Sequence, residues 1–164
     1  MLQIGNNFYT HKEEMTHMAL WAFARAPLLI GCDLETISQE SLDILMNKEL
    51  IFINQNGFGQ QANCMEGCEF DPLNQYQMYQ MLVNGDTGSV RMAVLIVNWD
   101  DKNELASVEY DPIKLGVAFN PTDNCVYEDV YGEFETMNVD ATPQTFTNID
   151  PHFHMAFYVK CLPW

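Results

Sequence analysis

The 164-residue chain is 48% hydrophobic and 12% aromatic, enough to bury one good core or two small ones, which excludes an intrinsically disordered polypeptide. Seven Lys plus Arg against 23 Asp plus Glu give a formal charge of -16, so nucleic-acid phosphates and anionic membrane surfaces are repelled. Neutral ligands such as sugars remain open, and the acidity itself is that of a well-solvated surface.

The opening Met-Leu-Gln-Ile-Gly-Asn-Asn holds no basic region followed by an apolar run, so no signal peptide is visible in this chain. Thr10 with Glu13 three residues later fits a capping box, in which each side chain satisfies a free amide hydrogen of the other residue, and predicts a helix from about Lys12. Met15, Met18, Ala19, Ala22, Phe23 and Ala26 recur at helical steps, and their stripe ends at Pro27, which restricts the residue before it. Leu28, Leu29 and Ile30, bounded by Gly31, predict a short buried parallel strand. Ser38 or Ser41 caps a second helix with Leu42, Ile44, Leu45 and Met46 on its apolar side and Lys48 near its C-terminal end, where the dipole favours a cation. The apolar tract from Met18 to Cys32 is broken by Arg25 and Pro27 and is shorter than the roughly 20 residues of a spanning helix, so it is a core segment.

From Gly57 the pattern changes to short alternating segments. Tyr76 to Val83, Val90 to Trp99, Glu104 to Tyr110, Lys114 to Phe119, Cys125 to Asp129, Gly132 to Val139 and Met155 to Cys161 read as strands. Asn84-Gly85-Asp86, the run Asp100 to Asn103, Asp111-Pro112 and Asn120-Pro121 separate them with turn chemistry. So many strands in roughly 100 residues predict an antiparallel sandwich.

The stretch Trp21 to Gln55 carries more than secondary structure. It reads W-A-F-A-R-A-P-L-L-I-G-C-D-L and, from Ser38, S-Q-E-S-L-D-I-L-M-N-K-E-L-I-F-I-N-Q. This closely resembles the last βα units of the glycoside hydrolase family 27 α-galactosidases. There a helix ending W-A-x-x-x-A-P feeds the strand L-L-I-G-x-D-L, and the next helix reads S-x-E-x-L-x-I-L-x-N-K-E and ends in I-x-I-N-Q. The resemblance implies an α+β fragment: the end of a (β/α)8 TIM barrel, with two helices and about two strands, followed by an antiparallel β-sandwich. Residues 1–56 are expected to be the barrel remnant and 57–164 the sandwich, with most of the catalytic barrel upstream of Met1. In the second part the resemblance rests on position and on Ile149-Asp150-Pro151-His152, similar to the family's I-x-P-H turn before its last strand. The family's D-P-L-G after Asn54-Gln55 is Asn56-Gly57-Phe58-Gly59 here, keeping only the last glycine.

The function implied is the C-terminal part of a retaining glycoside hydrolase that removes terminal α-galactosyl groups, without metal or organic cofactor. Retaining hydrolysis needs a carboxylate nucleophile and an acid carboxyl group about 5 to 5.5 Å apart. In the family these are aspartates on the fourth and sixth barrel strands, and neither has a matching position, so no catalytic residue is assigned and the chain alone is expected to be inactive. One binding position matches. The family's seventh strand ends N-D-P-D-M-L-x-x-G-N, and Met1 to Asn6 fits from its methionine onward, making Met1 a candidate substrate contact. The alternative function is a non-catalytic binding or structural module derived from such an enzyme, held in a larger assembly.

Other residues carry less. Asp33 follows the Leu28 to Ile30 run and is expected to bond nearby amides, as Glu13 and Glu14 are expected to serve their helix start. Cys64-Met-Glu-Gly-Cys68 offers a local disulfide or two free thiols, while zinc would need a second ligand pair that the sequence lacks. His152 and His154 share no specified carboxylate partner for a metal. The aromatic residues, among them Tyr76, Tyr79, Trp99, Tyr110, Tyr127, Tyr131, Phe134, Phe153, Phe157 and Tyr158, are expected to fill the sandwich core. Five cysteines cannot all pair within the chain, and no Asn-x-Ser/Thr sequon occurs, so composition leaves the compartment open; the family resemblance implies a secreted or lysosomal/vacuolar protein. Expected partners are an α-galactoside in the complete protein, no nucleic acid and no membrane. The stripe of Met15, Met18, Ala22 and Phe23, together with Leu28 to Ile30, is expected to face barrel elements outside this chain and to drive self-association or binding to other chains.

Overall fold

In the computed structural model, which describes residues 1–56, 58–69, 75–84, 90–112, 124–132, 137–140 and 143–162, the first helix begins where Thr10 caps it. The Thr10 side chain accepts from the Glu13 amide and the Glu13 carboxylate accepts from the Thr10 amide at 2.8 Å, completing the capping box. Helix α1 (His11–Phe23) stops four residues before Pro27, with Arg25 in the left-handed region at φ 51°. The expected second helix is two helices. Ser38 caps α2 (Gln39–Leu45), but the Asn47 side chain accepts from the Leu50 amide at 3.0 Å and opens α3 (Lys48–Gln55). Lys48 therefore sits in a first turn rather than at a C-terminal end, because an asparagine satisfies free helix amides better than it continues a helix. At the far end Asn54 Nδ2 donates to Ala26 O at 2.9 Å and Trp21 O at 3.3 Å, tying α3 to the end of α1.

The strands are β1 (Asn63–Glu66), β2 (Tyr76–Asn84), β3 (Val90–Asn98), β4 (Leu105–Tyr110), β5 (Asn124–Asp129), β6 (Met137–Asp140), β7 (Gln144–Ile149) and β8 (His154–Leu162). They form a six-stranded sheet in the order β1-β2-β3-β8-β5-β6 and a two-stranded sheet of β4 and β7, with every pairing antiparallel. Two were not foreseen. β1 is a short run at a sheet edge, and β7 carries only Phe146 and Ile149 as apolar residues, three apart, so neither shows a period of two. The expected strand Lys114 to Phe119 and residue Phe134 lie outside the described residues, and of Gly132 to Val139 a strand is described only from Met137.

The large sheet is the middle layer. On one face Met92, Val94, Ile96, Phe157 and Val159 meet Val108, Tyr110, Phe146 and Ile149 of the small sheet. On the other, Ala93, Leu95, Val97, Ala156 and Tyr158 meet Met18, Phe23, Leu50 and Ile53 of the helices. The α1 stripe is thus not left for absent barrel elements: Met15, Met18, Ala22 and Phe23 are buried within this chain by the sheet and α3. Of the buried parallel strand expected at Leu28 to Ile30 only a single parallel bridge forms, between Leu2 and Ile30; Leu28 packs against the core while Leu29 and Ile30 are 58% and 48% exposed. Among the described residues, no helix is long and apolar enough to cross a membrane.

Asn98, at the end of β3, is 1% exposed, and its Nδ2 faces the carbonyls of Asn103 and Ile149 at 2.9 Å and of Asp150 at 3.1 Å. It joins the β3–β4 turn to the turn before β8. Asn98→Ala leaves those carbonyls without their donor and is expected to cost about 2–3 kcal/mol, read as a lower urea midpoint with an unchanged slope. A midpoint equal to that of the parent chain would show that water replaces the side chain at no cost.

Candidate functional site

Met1 lies beside the place where the two parallel segments meet, and Gly31 makes that approach feasible. A Cβ at Gly31 would stand 2.5 Å from Leu2 O and 3.2 Å from Met1 Cβ, too close for any larger residue. The loop that follows is held by Glu14, whose buried carboxylate accepts from the Gly5 amide and the Ser41 hydroxyl, each at 2.7 Å. Gly5 has φ +84°, and a Cβ there would stand 2.8 Å from Ile37, so glycine is required twice over. Asn6 Nδ2 closes the arrangement by donating to Gln3 Oε1 at 2.9 Å and Gly31 O at 3.1 Å. The Gln3 amide donates to His17 Nε2 at 3.3 Å, and burial holds that imidazole below its ordinary pKa, which keeps the accepting lone pair available. Met1 itself is 64% exposed, a side chain on a fixed backbone with its surface open.

The remaining sequence candidates have ordinary partners. Asp33 Oδ1 accepts from the Glu35 amide at 2.9 Å, the local role expected of it. Glu13 serves the helix start, but Glu14 does more than its position suggested, since its partners lie 9 and 27 residues away. Cys64 and Cys68 form a disulfide with Cα atoms 5.6 Å apart, Cys125 is also disulfide-bonded, and Cys32 is free. Tyr110, Tyr127, Phe157 and Tyr158 fill the cores as expected, whereas Trp99 is 42% exposed and is not a core residue.

The two histidines before β8 do different work. His152, at φ 54°, presents Nδ1 to Glu13 Oε1 at 3.0 Å and Nε2 to Asp101 Oδ1 at 2.9 Å. A neutral imidazole has one N–H, so two carboxylates can be satisfied together only by the imidazolium. Those hydrogen bonds, first to Asp101 and then to Glu13, raise the His152 pKa, while the Thr10 amide and hydroxyl lower that of Glu13. Lys12 pairs with Asp150 alongside and lies over the Phe153 ring, 5.6 Å from its centroid. His154 is buried, with Nδ1 2.9 Å from Thr16 Oγ and Nε2 2.8 Å from the Tyr131 hydroxyl. Thr16 Oγ also lies 2.9 Å from His152 O and 3.1 Å from Lys12 O; donating to a carbonyl, it accepts from Nδ1–H, and Tyr131 donates to Nε2. Burial pushes the His154 pKa down to about 3, so this ring is a neutral connector between α1 and β8. Among the described residues, no cluster of three or more His, Cys, Asp or Glu side chains is arranged to hold a metal.

A parallel bridge between two segments beside capped helices, joined to antiparallel sheets, is the arrangement expected of the end of a (β/α)8 barrel followed by a β-sandwich. The family model described as alpha galactosidase A matches residues 1–56. Alpha-galactosidase 3 of Arabidopsis thaliana is 33% identical over 92% of this chain and 36% of its own length. Among solved structures, α-galactosidase I of Mortierella vinacea superposes with a TM-score of 0.79 at 20% identity, covering 97% of this chain and 38% of that one. A family 27 β-L-arabinopyranosidase of Geobacillus stearothermophilus superposes at 0.73 with 21% identity, covering 93% and 31%. At those identities the structural likeness is one of fold. The chain belongs with the family 27 α-galactosidases and corresponds to their C-terminal portion, spanning little more than a third of the Arabidopsis relative.

The His152 link has a defined pH window. Its raised pKa contributes stability that is fully present below about 6.5 and is lost as pH rises through the raised value; the lowered pKa of Glu13 contributes above about 4.5 and is lost as pH falls through the lowered value. The stability difference between the chain and its His152→Asn variant is therefore expected to peak between these limits. For groups this exposed it should then shrink by about 0.5 kcal/mol as the pH passes the His152 value. Urea titrations across pH read it, and a difference independent of pH would remove the imidazolium.

Proposed function

We propose that this chain is the C-terminal part of a retaining glycosidase that removes terminal α-galactosyl groups from oligosaccharides or glycoconjugates. The observation that carries the reading is that the family match on residues 1–56 covers the segments that bring Met1 against Gly31. In this reading Met1 lines the sugar site. The nucleophile and the acid are aspartates of barrel strands upstream of Met1, as the family resemblance implies, and no residue described above takes either role. A carboxylate nucleophile and a carboxyl acid complete the reaction through a glycosyl-aspartate without metal or organic cofactor. Because a β-L-arabinopyranosidase shares the fold, the α-galactosyl preference is drawn from the α-galactosidase relatives and not from the architecture. Residues 1–56 are the barrel portion and 57–164 the sandwich.

The runner-up is a non-catalytic module derived from such an enzyme. It is favoured by the helices burying their apolar side on the chain's own sheet, which lets the chain fold around a complete core. The in-frame sequence before Met1 separates the two readings: a Trp-Asn-Asp-Pro-Asp run preceded by Asp-bearing strands supports the enzyme, and an in-frame stop without a splice acceptor supports the module. The purified 164-residue chain is expected not to hydrolyse an aryl α-galactoside, since it lacks the reacting groups. Turnover that persists through further purification would overturn the assignment of both carboxylates to upstream strands.

In either reading Met1, Leu29, Ile30 and Leu34, all more than a third exposed, form the surface through which the chain meets barrel strands, its own copies or other chains. Sedimentation at micromolar concentration is expected to show self-association that Leu29→Glu with Ile30→Glu abolishes. A monomer unchanged by the pair of substitutions would discard this surface as an interface.

A further inference from the structure

The start of α1 and the turn after β3 face each other across a cleft of about 350 Å³, lined by Tyr9, Glu13, His17, Trp99, Asp101 and His152. Its volume falls within the roughly 300–1,000 Å³ of small-molecule sites. Both aromatic walls are held in place with surface left uncovered. Trp99 donates its indole N–H to Gln77 Oε1 at 2.8 Å, which pins the ring by its edge, and the residue is 42% exposed. The Tyr9 ring lies 5.5 Å from the His17 ring at an interplanar angle of 30°, His17 in turn lies 5.6 Å from Trp21, and Tyr9 is likewise 42% exposed. Between the walls, His152 joins the carboxylates of Glu13 and Asp101, and the Asp101 side chain is 84% exposed, so it can accept hydrogen bonds from outside.

The charges decide what such a cleft can take. Glu13 and Asp101 are anionic, and the Lys12–Asp150 pair beside them adds no net charge, so in a chain of formal charge -16 an anionic ligand is repelled. A cation suits aromatic faces, but the His152 imidazolium already stands between the two carboxylates and answers most of their charge. A neutral ring with an apolar C–H face and a hydroxyl edge matches both surfaces: the face lies on the rings, and the hydroxyls donate to the carboxylates. We propose that this cleft binds a neutral pyranoside, with Trp99 and Tyr9 as stacking faces and Asp101 and Glu13 as hydroxyl acceptors. The site goes beyond the proposed glycosidase reading. It uses neither Met1 nor any reacting carboxylate, and it specifies a pyranose ring without specifying its configuration.

Binding is read on the 164-residue chain, which needs no turnover, so its outcome and that of the activity assay are independent. Titration of 15N-labelled chain with methyl α-galactopyranoside, and separately with methyl α-glucopyranoside, is expected to shift the Trp99 indole N–H and the Tyr9 and Asp101 amides saturably. Trp99→Ala should weaken binding by about tenfold, the value of one lost stacking face, while Trp99→Phe keeps most of the affinity. If Trp99→Ala loses the dispersed spectrum of the folded chain, Tyr9→Ala reads the opposite wall with the same expectation. The proposal is overturned if neither sugar gives saturable shifts, if the shifts persist unchanged when both aromatic walls are removed, or if tetramethylammonium saturates these resonances where the sugars do not.

Discussion

β3 has to bury both of its faces, and the rest of the molecule is arranged to let it. Its six consecutive residues Met92 to Val97 are all buried, three toward the small sheet and three toward the helices. Each fully buried side chain of this kind contributes roughly 1.5–3 kcal/mol relative to an exposed one, so neither covering layer can leave without a large penalty. The boundary we propose after residue 56 is consequently one of topology and not of packing. Helices that carry the motifs of a barrel supply one wall of the sandwich's inner sheet, and the chain holds together as three layers.

Around that apolar contact the two halves are registered by polar groups. Thr16 and His154 meet in the buried part of the junction, and His152, Glu13, Asp101, Lys12 and Asp150 surround its exposed rim. Exposed ion pairs add little to stability, typically below about 1 kcal/mol, but they are directional where hydrophobic contact is not. The imidazole held between two carboxylates fixes the start of α1 against the β3–β4 turn in one orientation. Asn98 acts in the same region from inside, so three loops distant in sequence share one geometry.

What could be read from the sequence was what depends on short spacing. Thr10 and Glu13 stand three residues apart and satisfy each other's helix end; Val90 to Trp99 reads as a strand, but its burial on both faces does not follow from the alternating pattern with which it is grouped. The contiguous motif strings of residues 21–55 point to a parallel segment at Leu28 to Ile30, and its one bridge, from Ile30 to Leu2, is a contact between distant residues that those strings do not contain. Asn47 does not stand out as a helix start because the apolar residues on either side continue the same period. The junction was illegible for a different reason: His152 and Glu13 are 139 residues apart, and His152 and Asp101 are 51 apart, with no periodicity connecting them. Trp99 has the pattern of a core aromatic through its place at the end of an alternating segment. It instead follows Asn98, the residue that turns inward to hold the loops, and lies outside the sheet with an exposed face.

This arrangement gives the sandwich a role in the proposed enzyme beyond adding mass. The sheet holds α1 through Phe23, Met18 and the Thr16–His154 contact, and α1 carries Glu14. Glu14 holds the Gly5 amide and the Ser41 hydroxyl, and Gly5 belongs to the short loop whose other members keep Leu2 beside Ile30 and Met1 beside Gly31. Each step is a direct contact between buried or half-buried groups, so a shift of the sheet against α1 must either break one of these contacts or move the loop. A sugar-contacting residue needs its position held to a fraction of an ångström for productive geometry. The sandwich, remote in sequence from Met1, lies at the other end of the contacts that fix it.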